Sequence, residues 1–292
     1  MNANAGDDRA PVYYPADASL EHKATIRSIL IGSSAACFHG MRRLARCPQR
    51  YIMVASHMRS GSSLLHHLLQ TNRLILGAGE SNRVYRNAAD LRRFSLWAHV
   101  ARRSLFNWHA FVADQINHTD KLRDVALLRR SDVKTVILIR EPRCTIASLL
   151  KLMNEFYGSR WTDQDAIAYY LERIEALRAL AVDLSSAPGT RAFLLTYTEL
   201  VDEPVASLGA LQRHLGLREP FSTTYETFDY TRTRGDPMPK VIARRILAQD
   251  GHSDYALPIE WRSPVEARYL EVLNSLRSTC LSVGAAHGPE LR

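Results

Sequence analysis

The sequence predicts an α/β fold in which a central parallel sheet is flanked by helices in three layers and carries a helical cap. Three observations predict it. Residues 51–56 (YIMVAS), 134–140 (KTVILIR) and 192–198 (AFLLTYT) are rich in β-branched and aliphatic side chains throughout, as parallel strands covered on both faces must be. Each run passes through a short turn into residues with helical spacing. Alternation of this kind implies a parallel sheet with helices on both faces. A chain of 292 residues with 46% hydrophobic side chains can bury a full core, most simply as one large domain.

Residues 1–20 are polar and proline-bearing and read as a flexible arm, leaving 21–292 as the single domain. An amphipathic helix is expected over about 20–44, ahead of the strand at 51–56. From Ser62, the leucines at 64, 65, 68 and 69 recur at helical spacing. A second strand is expected at 74–79 (LILGAG). Residues 87–130, with Trp97, Trp108 and many arginines, read as mostly helical and as the cap. The strand at 134–140 leads to a helix behind Pro142, where proline fits the first turn. A helix over 163–184, the strand at 192–198 and a helix closed by Gly216 follow. The stretch YTRTRGDPMPK is too rich in Gly, Pro and Arg for core and reads as part of a lid loop over 229–245. A last helix is expected over 264–283.

The net charge of +8, from 38 basic and 30 acidic residues, suits an anionic ligand or surface. The four cysteines form no CxxC pair and show no metal-ligand spacing, so no metal is expected. The first residues lack the basic start and apolar run of a signal peptide, and a cytoplasmic location is the expectation. The arginines between 92 and 130 could serve nucleic acid or acidic lipid. They come with no aromatic nucleic-acid motif and alternate with apolar residues as on ordinary amphipathic helices, so no nucleic-acid partner is expected.

The most informative stretch is ASHMRSGSSLLHHLL, residues 55–69. A helix that starts directly after a parallel strand presents unpaired N–H groups and the positive end of its dipole, which together attract an anion. Gly61 allows close backbone approach, Ser60, Ser62 and Ser63 add small polar groups, and Arg59 adds a planar cation. The lysine of the GxxxxGK[ST] nucleotide loop is missing. The strand at 134–140 ends in Arg140 where a nucleotide triphosphatase would carry an aspartate for Mg²⁺. Two basic strand ends imply a ligand with two separated phosphates.

Arg59-Ser60-Gly61-Ser62-Ser63-Leu64 resembles the 5′-phosphosulfate loop of sulfotransferases that use 3′-phosphoadenosine 5′-phosphosulfate, in the arginine form of tyrosylprotein and many bacterial members. Arg140-Glu141-Pro142, with Ser148 eight residues after Arg140, is similar to the 3′-phosphate motif of that family. TYTELVDEP, residues 196–204, and LQRHLGL downstream resemble later family segments. The aryl-sulfotransferase lysine is replaced by Arg59, and the tryptophan that follows the loop in that branch is absent, so its adenine contacts do not carry over.

The resemblance implies a P-loop-like fold and transfer of a sulfuryl group to a hydroxyl acceptor; glycan, glycolipid, small metabolite and peptide tyrosine are all open, and the expectation of a cytoplasmic location ranks a small molecule or a glycolipid first. It places Arg59 and the amides of Gly61, Ser62 and Ser63 at the 5′-phosphate, and Arg140 and Ser148 at the 3′-phosphate. Arg232, Arg234 and Gly235 match the family's carboxyl-terminal glycine-rich loop only loosely; the two arginines would clamp the 3′-phosphate from the lid, against the plainer reading of a solvated loop. Glu80, twenty-one residues after Arg59, takes the place of the catalytic base, against the plainer reading of a surface carboxylate paired with Arg83. The alternative reading is a nucleotide-dependent kinase with a degenerate loop, which would require Mg·ATP.

Overall fold

The computed structural model describes residues 24–231, 242–247 and 255–283. Helix α1 (Ala24–Leu44) precedes strand β1 (Arg50–Ser56), which runs into α2 (Ser62–Thr71). Strand β2 (Ile75–Leu76), α3 (Ala88–Ala101), β3 (Phe111–Ile116) and β4 (Val133–Ile139) follow. Then come α4 (Pro142–Lys151), α5 (Asp163–Ser185), β5 (Phe193–Thr196), α6 (Tyr197–Asp202), α7 (Pro204–Leu215) and α8 (Ile259–Thr279). The five strands lie in the order β2-β3-β1-β4-β5, and every pairing is parallel. The expected parallel α/β sheet flanked by helices is therefore the observed fold.

Strand periodicity divides the core into two layers. Tyr51, Met53 and Ala55 of β1 pack with Phe94 of α3, Ile146 and Leu149 of α4, Ile174 and Leu177 of α5 and Leu276 of α8. The intervening Ile52 and Val54 face the opposite way, onto Leu65 and Leu68 of α2 and Leu208 and Leu211 of α7. Hence α2, which follows β1, and α4, which follows the adjacent β4, lie on opposite faces. Their connecting turns diverge, and a crevice opens between the carboxyl ends of β1 and β4.

Three expectations need correction. The segment 87–130, expected to be mostly helical, is helical at α3 but contains β3, which pairs with both β1 and β2. Asp114 and Gln115 interrupt its apolar run and disguise a strand that is buried along its whole length. Helix α8 starts at Ile259 rather than 264, with Pro264 inside its early turns. Strand β2 spans two of the six residues expected, because the chain leaves the sheet at Gly77. A Cβ at Gly77 would lie 2.5 Å from Gln70 Nε2, so the chain here is pressed against α2.

One buried cation ties the site end of the sheet to α5. Arg173 donates from Nε to the Ser56 carbonyl (2.9 Å), from Nη2 to the Ile116 carbonyl (2.7 Å) and from Nη1 to Thr119 Oγ1 (3.1 Å). It thereby caps the carboxyl ends of β1 and β3. Burial lowers its pKa, yet a guanidinium keeps its charge. Arg173→Leu strands three acceptors and is expected to cost about 2–4 kcal/mol in urea unfolding; a loss under about 0.5 kcal/mol would show that water replaces the guanidinium.

Candidate functional site

The sequence places Arg59 in the turn after β1 and Arg140 at the end of β4, and the fold brings the two turns together. Arg59 Nε donates to Ser148 Oγ at 2.7 Å, and Arg140 Nη1 donates to the Arg59 carbonyl at 3.4 Å. A serine hydroxyl that accepts from a guanidinium keeps its own O–H for a further acceptor. Arg59 adopts φ 65°, a left-handed conformation rare outside glycine, and Gly61 adopts φ 92°. Such strain persists only where surrounding contacts impose it.

Gly61 caps α2 without any side-chain cap, so the first-turn amides of that helix keep their anion-binding character. Ser60 Oγ beside them is buried without a hydrogen-bond partner among the described residues. Helix α4 differs. Its N-cap, Glu141, turns its own carboxylate onto the Cys144 N–H at 3.1 Å, and Pro142 occupies the first turn. The second turn therefore presents side chains, Arg140 and Ser148, rather than free helix amides. Glu141 Oε1 also lies 4.0 Å from Arg140 Nε, which partly balances that cation.

Tyr197, the first residue of α6, lies between the two turns. Its ring sits 4.2 Å from the Arg140 guanidinium and against Gly61, where an added Cβ would come within 2.4 Å of Tyr197 Cδ2.

Glu80 lies beyond β2 at the same end of the sheet. Its Oε1 accepts from Asn117 Nδ2 at 2.9 Å, and Asn117 Oδ1 accepts from Ser56 Oγ at 2.6 Å, so a short relay runs from Glu80 to the last residue of β1. Burial raises the Glu80 pKa, the Asn117 hydrogen bond opposes that rise, and Asp114 adds to it. Asp114 holds the adjoining segment by accepting from Ser81 and from the Tyr85 hydroxyl. Arg83 lies over the Trp97 ring at 4.8 Å, while the Glu80 carboxylate takes Asn117.

Several residues that position the site were not singled out in the sequence. His57 Nε2 accepts from the Arg140 N–H (3.0 Å), which leaves Nδ1–H to donate to the Met58 carbonyl (2.8 Å). Burial lowers the His57 pKa to about 4, so the ring is a neutral tie between β1 and β4. The Tyr170 hydroxyl donates to the Arg140 carbonyl (2.8 Å). The Tyr169 hydroxyl accepts from the Met58 N–H (3.0 Å) and donates to the Asn117 carbonyl (3.1 Å). The one local signal is Arg173, a charge placed among Ala166, Tyr170 and Leu177 on the buried stripe of α5. Arg232, Arg234 and Gly235 lie outside the described residues, as does most of the expected lid. Among the described residues, no group of three or more His, Cys, Asp or Glu is placed to hold a metal, and no helix is long and apolar enough to cross a membrane.

No protein-family model and no curated protein sequence matches the chain. Among solved structures, it is similar to a sulfotransferase domain from the curacin biosynthetic pathway, with TM-score 0.51 and 14% identity over 75% of this chain and 96% of that one. A mouse sulfotransferase, SULT7A1 complexed with PAP, matches with TM-score 0.40 and 13% identity over 63% of this chain and 62% of that one. At these identities the first likeness speaks for a shared fold.

Gly61→Ala places a methyl group against Tyr197 at a positive φ. It is expected to lower stability by about 1–3 kcal/mol and to weaken anion binding at the α2 turn, both measured by thermal unfolding with and without adenosine 3′,5′-bisphosphate. Wild-type stability and an unchanged ligand-induced shift would contradict the close approach.

Proposed function

We propose that this protein is a sulfotransferase that moves a sulfuryl group from 3′-phosphoadenosine 5′-phosphosulfate to a hydroxyl acceptor. The observation that carries this reading is the meeting of two arginine-headed turns at the crevice between β1 and β4, joined through Arg59 and Ser148. One turn is a helix start with no side-chain cap and a Ser60 hydroxyl without a partner among the described residues, suited to a phosphosulfate. The other offers Arg140 and Ser148 to a second phosphate. The shared fold with a sulfotransferase domain supports the same reading.

The bound donor supplies an activated sulfuryl group and a bisphosphate leaving group. Arg59 and the Gly61, Ser62 and Ser63 amides meet the charge that collects on the 5′-phosphate as its oxygen separates from sulfur. Arg140 and Ser148 hold the 3′-phosphate and fix the position of the donor. Glu80 takes the acceptor proton as the acceptor oxygen bonds to sulfur. A raised Glu80 pKa makes the carboxylate a stronger base than an exposed one while leaving it ionised at higher pH. A sulfuryl group carries less charge than a phosphoryl group, so fixed guanidinium and amide donors can meet the developing charge. The acceptor is a hydroxyl-bearing small molecule or glycolipid.

Titration calorimetry tests the donor class. Adenosine 3′,5′-bisphosphate is expected to bind more tightly than Mg·ATP, and preference for Mg·ATP would replace sulfuryl transfer with phosphoryl transfer. Glu80→Gln keeps an acceptor for Asn117 and is expected to reduce turnover by about 100-fold or more with bisphosphate affinity unchanged. In the wild type, turnover should fall on acidification at a pH above the ordinary carboxylate range. Because the folded pKa of Glu80 is raised, its ionisation costs stability as pH rises through that value, so Glu80→Gln should be at least as stable as wild type at neutral pH. Undiminished turnover in the variant would remove Glu80 from the role of base.

A further inference from the structure

The amino end of the sheet carries a surface of different chemistry. Residues 31–50 and 101–110 contain six arginines, Arg42, Arg43, Arg46, Arg50, Arg102 and Arg103, and no aspartate or glutamate. The fold joins these segments: Arg42 Nη2 donates to the His109 carbonyl at 2.6 Å, and the Arg42 guanidinium lies 5.3 Å from the Trp108 ring. Residues 43–48 and 105–108 are all exposed. Apolar side chains project among them, with Leu44 87% exposed, Phe106 90% and Trp108 53%.

Between the two segments is a cavity of about 380 Å³ lined by Arg42, Cys47, Pro48, Arg50, Trp108 and Ala110. Arg42 is 1% exposed, and its Nε and Nη1 have no hydrogen-bond partner among the described residues. Arg50 lies over the Phe111 ring at 4.0 Å, and among the described residues neither arginine has a carboxylate within ion-pair distance. Burial also lowers the pKa of His39 and His99 beside this region to about 4, so they remain neutral and the arginines supply the charge. A buried guanidinium with unmet donors is costly unless an oxyanion reaches it.

We propose that this face docks on an anionic phospholipid surface, with Leu44, Phe106 and Trp108 entering the interfacial region and one headgroup phosphate seated between Arg42 and Arg50. Charge complementarity supplies the long-range attraction, and the projecting apolar residues supply the short-range contact. Tryptophan suits a boundary at which one part of the ring is dry and another wet. Nucleic acid would satisfy the arginines and leave Leu44 without a matching partner. Arg50 opens β1 and Ser56 ends it, so the docked surface lies roughly 20 Å from the crevice and leaves it open. The docking face stands independently of the chemistry proposed for that crevice.

Sedimentation of the full chain with vesicles tests this. Binding is expected to phosphatidylcholine vesicles containing phosphatidylserine and not to phosphatidylcholine alone, and it should weaken as salt is added. Replacing both Leu44→Ser and Phe106→Ser should weaken binding by roughly tenfold or more, with the circular dichroism spectrum unchanged. Arg43→Gln with Arg46→Gln should weaken it and flatten its salt dependence, whereas Arg59→Ala at the far end should bind as wild type. Glycerol 3-phosphate should compete; undiminished vesicle binding in its presence would overturn the headgroup seat. Equal binding to both vesicle types, binding to neither, retention by duplex nucleic acid instead of vesicles, or an unaffected Leu44/Phe106 variant would overturn the docking face.

Discussion

Everything at the crevice depends on the backbone of Arg140 being fixed at both of its polar groups. Its N–H reaches His57 and its carbonyl receives the Tyr170 hydroxyl, so the turn after β4 is tied to the turn after β1 on one side and to α5 on the other. Tyr169, one residue earlier, holds the Met58 N–H, and Arg173 one turn later holds the Ser56 carbonyl. A single helix thus orients both arginine-bearing turns. Two guanidinium groups on neighbouring strand ends repel each other, and the fixed backbones, with Ser148, Tyr197 and Glu141 on the side chains, hold them together against that repulsion.

The two turns present different groups although they share a grammar of strand, turn and helix. Helix α2 begins at Gly61 with no side-chain cap among the described residues, whereas α4 begins under the carboxylate of Glu141. The first turn therefore offers backbone dipoles and close approach, and the second offers side chains. The proposed donor, with a phosphosulfate at one end and a phosphate at the other, would suit that asymmetry. Glu80 stands apart, linked to the β1 end through Asn117 and held by a segment that Asp114 anchors. Its burial favours the protonated form, the property a base needs if it is to draw a proton from a hydroxyl.

How much of this could be read from sequence follows from how local each signal is. Strands β1 and β4 were legible because their residues are apolar on both faces, and the turns after them because Arg59 to Ser63 and Arg140 to Pro142 are contiguous. Strand β3 was hidden by Asp114, whose burial is satisfied by Ser81 and Tyr85, residues that nothing local marks as partners. The α5 clamps were hidden likewise, since Tyr169 meets Met58 across 111 residues and Arg173 meets Ser56 across 117. Trp108, read as part of a helical cap, lies in the loop before β3 at the opposite end of the sheet, beside Arg42.

The central claim is that Arg59 and Arg140 serve two phosphates of one nucleotide. Calorimetric titration of wild type and Arg140→Ala with adenosine 5′-monophosphate and adenosine 3′,5′-bisphosphate tests it most directly. The account predicts that Arg140→Ala loses the added affinity of the 3′-phosphate, by roughly tenfold or more, and binds the monophosphate as wild type does. Equal losses for both nucleotides, or none for either, would mean that the two arginines do not divide one ligand between them.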